Sequence, residues 1–110
     1  SKNLVAIGFS KYKIGIDIQK ISEKSLSLSP RFICERNLNN LSIEKATLLW
    51  CCKEAIYKWY QKGSVNFKAD IFIFPFKLKA SGTISANFKK EKLSLFYYKI
   101  DTFYLVYLCK

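Results

Sequence analysis

The middle of the chain carries a helical pattern of apolar positions. They recur at intervals of about one helical turn, at Ile43, Ala46, Leu49, Trp50, Ile56 and Tyr60. Ser42 is a favourable N-cap residue, and Gly63 is a residue type that often follows a helix end. The pattern therefore predicts one long helix of about 19 residues that starts near Ser42 and stops near Gly63.

Apolar and polar residues alternate with a period of two on both sides of this helix. After it, the alternation predicts four strands, over residues 70–76, 83–88, 93–99 and 103–108. Before it, the pattern predicts a hairpin, a serine-rich loop and a short helix, over residues 4–19, 22–30 and 30–37. This order of elements predicts an α+β fold in which an antiparallel sheet packs against one long helix.

Size and composition limit the class of protein. At 110 residues the chain has room for a single domain, residues 1–110, and its 50% apolar residues are enough to build a core. No apolar run approaches the roughly 18 residues that cross a bilayer, so we expect a soluble, cytoplasmic protein. The four cysteines lack the paired spacing of a zinc site, and histidine is absent.

The chain has a strong excess of positive charge. Nineteen basic residues against eight acidic ones give a formal net charge of +11. Such a charge attracts polyanions, and a phosphorylated cofactor, an acidic protein, nucleic acid and an anionic membrane surface all qualify. The charge alone does not choose among these partners.

Candidate chemistry lies in the predicted long helix. Trp50, Glu54 and Lys58 are four residues apart and share one face, with Lys53 beside them. A carboxylate between two ammonium groups suits a magnesium ion and a phosphate chain. The plainer interpretation is an ordinary pair of surface charges, which contributes about 0.2–0.5 kcal/mol.

A second candidate acid lies on a predicted strand. Alternation over residues 13–19 assigns Ile14, Ile16 and Ile18 to one face and Gly15, Asp17 and Gln19 to the other. We expect the isoleucines to enter the core and Asp17 to be presented from a rigid strand. The absence of a side chain on Gly15 would then let a ligand approach. The alternative is an aspartate that simply faces water.

Together the two segments resemble the signatures of the 4'-phosphopantetheinyl transferases. The first signature stands as Gly15-Ile16-Asp17, and the second as Trp50-Cys51-Cys52-Lys53-Glu54-Ala55-Ile56-Tyr57-Lys58. They occur in the family's order and at its usual separation, and Arg31-Phe32 resembles the family's Arg-Phe ahead of the long helix. The resemblance implies Mg²⁺-dependent transfer of 4'-phosphopantetheine from coenzyme A to a serine of an acyl or peptidyl carrier protein, of the holo-acyl-carrier-protein synthase type.

The resemblance also implies roles for individual residues. Asp17 and Glu54 would ligate Mg²⁺, and Gln19 stands where many members have a third, glutamate ligand. Lys53 and Lys58 would bind phosphate oxygens of coenzyme A and steady the leaving group. Glu54 would also act as the general base, with Lys58 completing the catalytic pair.

The chain starts at Ser1 and contains no methionine, so we expect sequence upstream of it. In larger members a Ser-His-Ser segment holds the coenzyme, and Ser1 would match its last serine. The resemblance therefore implies one lobe of a two-lobed enzyme, completed by a second lobe or a symmetry mate.

Two alternatives to an active transferase remain at this point. Lysines interleaved with aromatic strand residues are compatible with a nucleic-acid-binding surface. A catalytically incomplete transferase lobe is compatible with both signatures.

Overall fold

A computed structural model describes residues 13–34 and 41–110. Its helices are α1 (Glu23–Ser27), a 3-10 helix (Ser29–Arg31) and α2 (Ile43–Tyr60). Its strands are β1 (Ile14–Lys20), β2 (Ile71–Ile73), β3 (Ser81–Phe88), β4 (Glu91–Ile100) and β5 (Phe103–Cys109). The strands form one antiparallel sheet in the order β1-β5-β4-β3-β2. The predicted α+β fold, with one long helix on an antiparallel sheet, is confirmed.

The long helix has the predicted start and stop. The Ser42 hydroxyl accepts a hydrogen bond from the Lys45 amide at 3.0 Å, which satisfies one of the free N–H groups of the first turn. At the other end, Gln61 takes the left-handed conformation with φ 58°. The prediction of a helix across this region is therefore confirmed to within a few residues.

Tight turns connect the last three strands. The β3–β4 and β4–β5 connections each span two residues, Lys89-Lys90 and Asp101-Thr102. Lys89 and Asp101 have φ of 57° and 55°, the sign that two-residue hairpin turns require at their first position. These hairpins fix the register that brings β5 beside β1.

Two predictions before and after the helix are wrong. Residues 23–27 form the short helix α1, where the serine-rich composition suggested a loop, and β2 covers only three of the seven residues predicted for its strand. A turn and a proline explain the second difference. The Asn66 side-chain oxygen accepts from the amides of Lys68 and Ala69, and the turn that it stabilises extends through residue 70. At the other end, Pro75 has no N–H group to donate to β3, and β2 ends before it.

The core lies between α2 and one face of the sheet. On that face Gly15 and Asp17 of β1 are buried beside Tyr104, Val106 and Leu108 of β5. This overturns the expected orientation of β1, since Ile18 is 57% exposed while Asp17 is 4% exposed. The strand alternates as predicted, but the glycine and aspartate face, not the isoleucine face, meets the helix.

The predicted strand over residues 4–9 and most of its hairpin lie outside the described residues, as does the end of the predicted helix at 30–37. Within the described ranges, no helix combines the length and the apolar character needed to cross a membrane.

Candidate active site

The centre of the candidate site is the carboxylate of Asp17. β1 presents it towards α2, where the Lys58 ammonium donates to its Oδ1 at 2.6 Å. The Gln19 Nε2 donates to its Oδ2 at 2.7 Å. A buried carboxylate is costly unless it is paired and hydrogen-bonded, and these two donors supply both kinds of compensation.

A close approach of helix to strand makes this meeting possible. A Cβ atom on Gly15 would lie 2.2 Å from the Ala55 carbonyl oxygen and 2.6 Å from the Trp59 Cβ. Such distances leave no room for any side chain. The open space above Gly15 is therefore filled by α2, which corrects the expectation that it admits a ligand.

Glu54 belongs to the same cluster. Burial raises the pKa of its carboxyl, the negative charge of Asp17 raises the pKa further, and the nearby Lys58 partly lowers it. Glu54 also lies one helical turn before Lys58, on the same face of α2. The structure thus places the helix face that carries Glu54 and Lys58 against the strand that carries Asp17.

Lys58 pairs with Asp17 and still reaches solvent. Its side chain is 50% exposed, and its hydrogen bond to Asp17 raises the pKa of the ammonium group, against a lowering by burial. The ammonium group is therefore charged at neutral pH. An anionic ligand at the site would meet this cation directly.

The structure does not bring Lys53 to this cluster. Its ammonium group is buried and donates to the carbonyl oxygens of Phe32, Phe67 and Ile71 at 2.5, 2.6 and 2.9 Å. An ammonium group has three N–H donors, and all three are used by these carbonyls. This placement does not fit the predicted contact of Lys53 with phosphate oxygens.

The sequence analysis missed Cys51 as a residue that positions Asp17. The buried Cys51 thiol donates to the backbone oxygen of Asp17 at 3.2 Å and to that of Tyr104 at 3.6 Å. Burial raises the pKa of this thiol well above its ordinary value, so it remains a protonated donor. The available signal was its position three residues before Glu54 on the same helical face.

A cavity of about 620 Å³ opens beside the cluster and was not predicted. Gln19 lines it and also donates to Asp17, so the cavity adjoins Asp17 through this side chain. Its other lining residues combine basic and hydroxyl groups at Lys20, Ser22, Lys24, Ser25 and Arg31 with apolar groups at Leu28, Phe32, Trp50, Val65 and Phe67. Ser1, the remaining predicted site residue, lies outside the described residues.

Comparison with known proteins agrees with this arrangement. A model of the 4'-phosphopantetheinyl transferase superfamily matches residues 13–107. The chain belongs to this superfamily. No curated protein matches it at a significant level. Membership confirms the resemblance drawn from the two signatures, and it implies phosphopantetheinyl transfer with coenzyme A as the substrate of the family.

The acidic residues of the site have the ligand chemistry of a magnesium site. Asp17 and Glu54 raise the local negative charge at one place, and Gln19 can add a neutral amide oxygen. Among the residues that the structure describes, no three Asp, Glu or Cys side chains form a complete metal-binding group. Two carboxylates nonetheless fit Mg²⁺, which usually takes one or two from the protein and its other ligands from phosphate and water.

The raised pKa of Glu54 predicts a stability cost for the ionised site. Since the pKa in the folded state lies above the ordinary value of 4.5, the folded protein holds the proton more tightly than the unfolded chain. The carboxylate therefore lowers stability at pH 7, and the cost disappears below pH 4.5. In EDTA at pH 7, Glu54→Gln should raise the free energy of unfolding by up to about 0.5 kcal/mol in urea titrations. A loss of stability at pH 7, or a gain that persists at pH 4, would contradict this electrostatic account.

Proposed function

We propose that this chain transfers 4'-phosphopantetheine from coenzyme A to a serine of an acyl or peptidyl carrier protein and releases 3',5'-ADP. It would act as the core of a holo-acyl-carrier-protein synthase. The ion pair of Asp17 with Lys58, and Glu54 one helical turn before Lys58 on the same face of α2, support this proposal, since phosphoryl transfer needs charge neutralisation and a proton acceptor together. Family membership favours this function over nucleic-acid binding.

The reaction assigns a separate task to each residue. The carrier serine oxygen attacks the β-phosphorus of the coenzyme, and the bond from that phosphorus to the bridging oxygen of 3',5'-ADP breaks. Glu54 accepts the serine proton, for which a pKa raised towards neutrality is favourable. Lys58 stabilises the negative charge on the phosphate oxygens.

The carboxylates of Asp17 and Glu54, with the amide oxygen of Gln19, are the residues that would hold Mg²⁺. When bound, the ion would supply additional positive charge for the diphosphate. Gln19 already uses its Nε2 on Asp17, so only its amide oxygen is available as a ligand. A neutral third ligand makes the site weaker for Mg²⁺ than one with three carboxylates.

The cavity beside Gln19 suits the rest of the substrate. Its apolar wall can accept the flexible arm of coenzyme A, and the basic residues Lys20, Lys24 and Arg31 at its lining attract polyanions. Both coenzyme A and an acidic carrier protein have the required charge.

The direct test is a transfer assay. The chain is incubated with coenzyme A, Mg²⁺ and an apo carrier protein, and the carrier is weighed by mass spectrometry. The expected result is a gain of one phosphopantetheine group on the carrier serine, dependent on the divalent ion. A carrier that stays unmodified in the presence of the oligomeric or two-lobed form of the enzyme would refute the proposal.

We also propose that the site is completed by a second lobe or a symmetry mate. The sheet face opposite α2 exposes a group of large apolar side chains at Ile18, Tyr98, Ile100 and Phe103. They belong to adjacent strands, since Ile18 lies in β1, Phe103 in β5, and Tyr98 and Ile100 in β4. A continuous exposed apolar surface of this kind is typical of an interaction site.

This proposal predicts that coenzyme A binding depends on association. Calorimetric titration over a series of protein concentrations should show weaker binding as the chain dissociates, with the dissociation followed by sedimentation velocity. The expected loss of affinity is at least about tenfold in the monomer. Equally tight binding by the monomeric chain would show that one copy holds a whole pocket.

A further inference from the structure

The cavity has a wall made of three aromatic rings. We call Phe32, Trp50 and Phe67 the aromatic wall. Trp50 is its centre, with ring centroids 5.0 Å from Phe32 and 5.4 Å from Phe67. All three line the cavity, and Trp50 comes from α2 while its two neighbours come from irregular segments.

The segments that carry Phe32 and Phe67 have few backbone hydrogen bonds of regular secondary structure. Phe32 follows the 3-10 helix, and Phe67 starts the turn that leads into the three-residue strand β2. Neither lies in a strand or an α-helix. The Phe32 amide donates to the Ser29 carbonyl oxygen at 3.0 Å at the end of the 3-10 helix, but the carbonyl oxygens of Phe32 and Phe67 accept from a side chain of α2.

Lys53 supplies such contacts from the back of the wall. Its ammonium group binds the carbonyl oxygens of Phe32 and Phe67, and also that of Ile71 at the start of β2. Lys53 is three residues after Trp50 on α2 and is 3% exposed. One buried cation therefore ties both outer members of the aromatic wall to the helix that carries the central one.

Burial of the Lys53 ammonium group carries a free-energy cost of desolvation. Lys53 is 3% exposed, so its ammonium group has lost its contact with water. The three hydrogen bonds of its ammonium group go to carbonyl oxygens, not to a carboxylate. An apolar side chain of the same length would fill the space without the cost of burying a charge. What the ammonium group adds is the link between three separate segments.

We propose that Lys53 is a positioning residue that fixes the aromatic wall and thereby sets how tightly the cavity binds its ligand. The contacts of Lys53 alone support its effect on the aromatic wall. The identity of the ligand as the arm of coenzyme A rests on the proposed function. Two separate measurements test these two claims.

The test compares Lys53→Met with Lys45→Met. Methionine keeps the length and apolar character of the side chain and removes the N–H donors. Lys45 lies on the same helix, with its ammonium group 5.2 Å from the ring centroid of Phe76, and serves as the matched control. Lys53→Met should raise KM for coenzyme A about tenfold with less than about a threefold change in kcat, whereas Lys45→Met should leave both unchanged.

A second readout follows the wall without any activity. In a Trp59→Phe background, Trp50 is the remaining tryptophan, and its fluorescence reports the wall. Lys53→Met should make this fluorescence more accessible to acrylamide while circular dichroism stays unchanged. This expectation holds whether or not coenzyme A is the ligand, so a wild-type chain without transfer activity would refute only the assignment of the ligand.

Specific results would overturn the proposal. Unchanged quenching of Trp50 in a folded Lys53→Met variant would show that the wall does not depend on Lys53. A fall in kcat with constant KM would assign Lys53 to the chemical step instead. Should the variant not fold, nitrogen-15 spectra of lysine ammonium groups in the wild-type protein decide, because a signal protected from exchange at pH 7 is expected for Lys53 and its absence would refute the three hydrogen bonds.

Discussion

Glu54→Gln is expected to lower the rate of phosphopantetheine transfer by roughly 10²- to 10⁴-fold. The amide has nearly the shape of the carboxyl but cannot accept the serine proton and brings no charge for a cation. The loss should therefore appear in kcat, measured from the mass of the carrier protein over time at saturating coenzyme A. Circular dichroism and urea titration should show an intact fold.

Glu44→Gln is the matched control for this prediction. Glu44 lies on the same helix, and its partly exposed carboxylate accepts from Lys99 at 3.2 Å. A surface pair of this kind contributes at most about 1 kcal/mol to stability, and it is distant in sequence from the acid cluster. Its loss should leave the transfer rate unchanged. If Glu54→Gln retained the rate of Glu44→Gln, the proton-accepting role of Glu54 would be excluded.

The combination of a lower rate and a higher stability is a stronger test than either alone. Substitution of a residue that only supports the fold should lower both the transfer rate and the free energy of unfolding. Glu54→Gln is expected to lower the rate and, in the absence of metal, to raise the free energy of unfolding, because burial and the negative charge of Asp17 destabilise the Glu54 carboxylate. Sites that concentrate charge for chemistry often carry such a cost.

Periodicity was sufficient to predict most of the fold. The long helix follows from apolar spacing and from the Ser42 cap, both of which are local properties of the chain. The strands after Gly63 follow from alternation and turn residues, and three of the four appear with small changes in their ends. Local signals of this kind remain visible in one sequence because each depends on residues a few positions apart.

The orientation of β1 was predicted wrongly because alternation defines two faces without saying which one is covered. Three isoleucines made the opposite face the more apolar choice. What decided the matter is the close contact at Gly15, which lets α2 lie directly on the strand. Lys58 then neutralises the buried charge of Asp17, and Gln19 donates a second hydrogen bond to it. A pattern of apolar and polar residues does not reveal either contact.

The two lysines of the second signature have different surroundings in the structure. Lys58 meets Asp17 as part of the acid cluster, whereas Lys53 turns inward to three carbonyl groups. Both side chains carry the same charge, but a spacing of five residues places them about 140° apart around the axis of α2. Lys58 therefore faces β1, whereas Lys53 faces residues 32 and 67–71, and the identity of those neighbours depends on contacts between distant parts of the chain.

Gly15 controls the whole arrangement, because the distance between β1 and α2 sets the distance between their acids. The helix backbone at Ala55 and the side chain of Trp59 occupy the space that a Cβ atom would need. A backbone carbonyl within a helix cannot move aside as the end of a flexible side chain can. Any substituent at Gly15 must therefore push the helix away from the strand, and Glu54 and Lys58 would move with it.

Gly15→Ala is accordingly expected to lower the free energy of unfolding by about 3 kcal/mol or more, measured by urea titration. Gly82→Ala is the matched control, since Gly82 also lies in a strand and its added Cβ would meet the Tyr97 Cε1 at 3.2 Å. This contact is 1.0 Å longer than the 2.2 Å contact at Gly15 and needs a much smaller shift, so the control should change stability by less than about 1 kcal/mol. Where Gly15→Ala still folds, it should bind coenzyme A more weakly in the presence of Mg²⁺. Equal stability of the two variants would mean that α2 does not lie as close to β1 as the acid cluster requires.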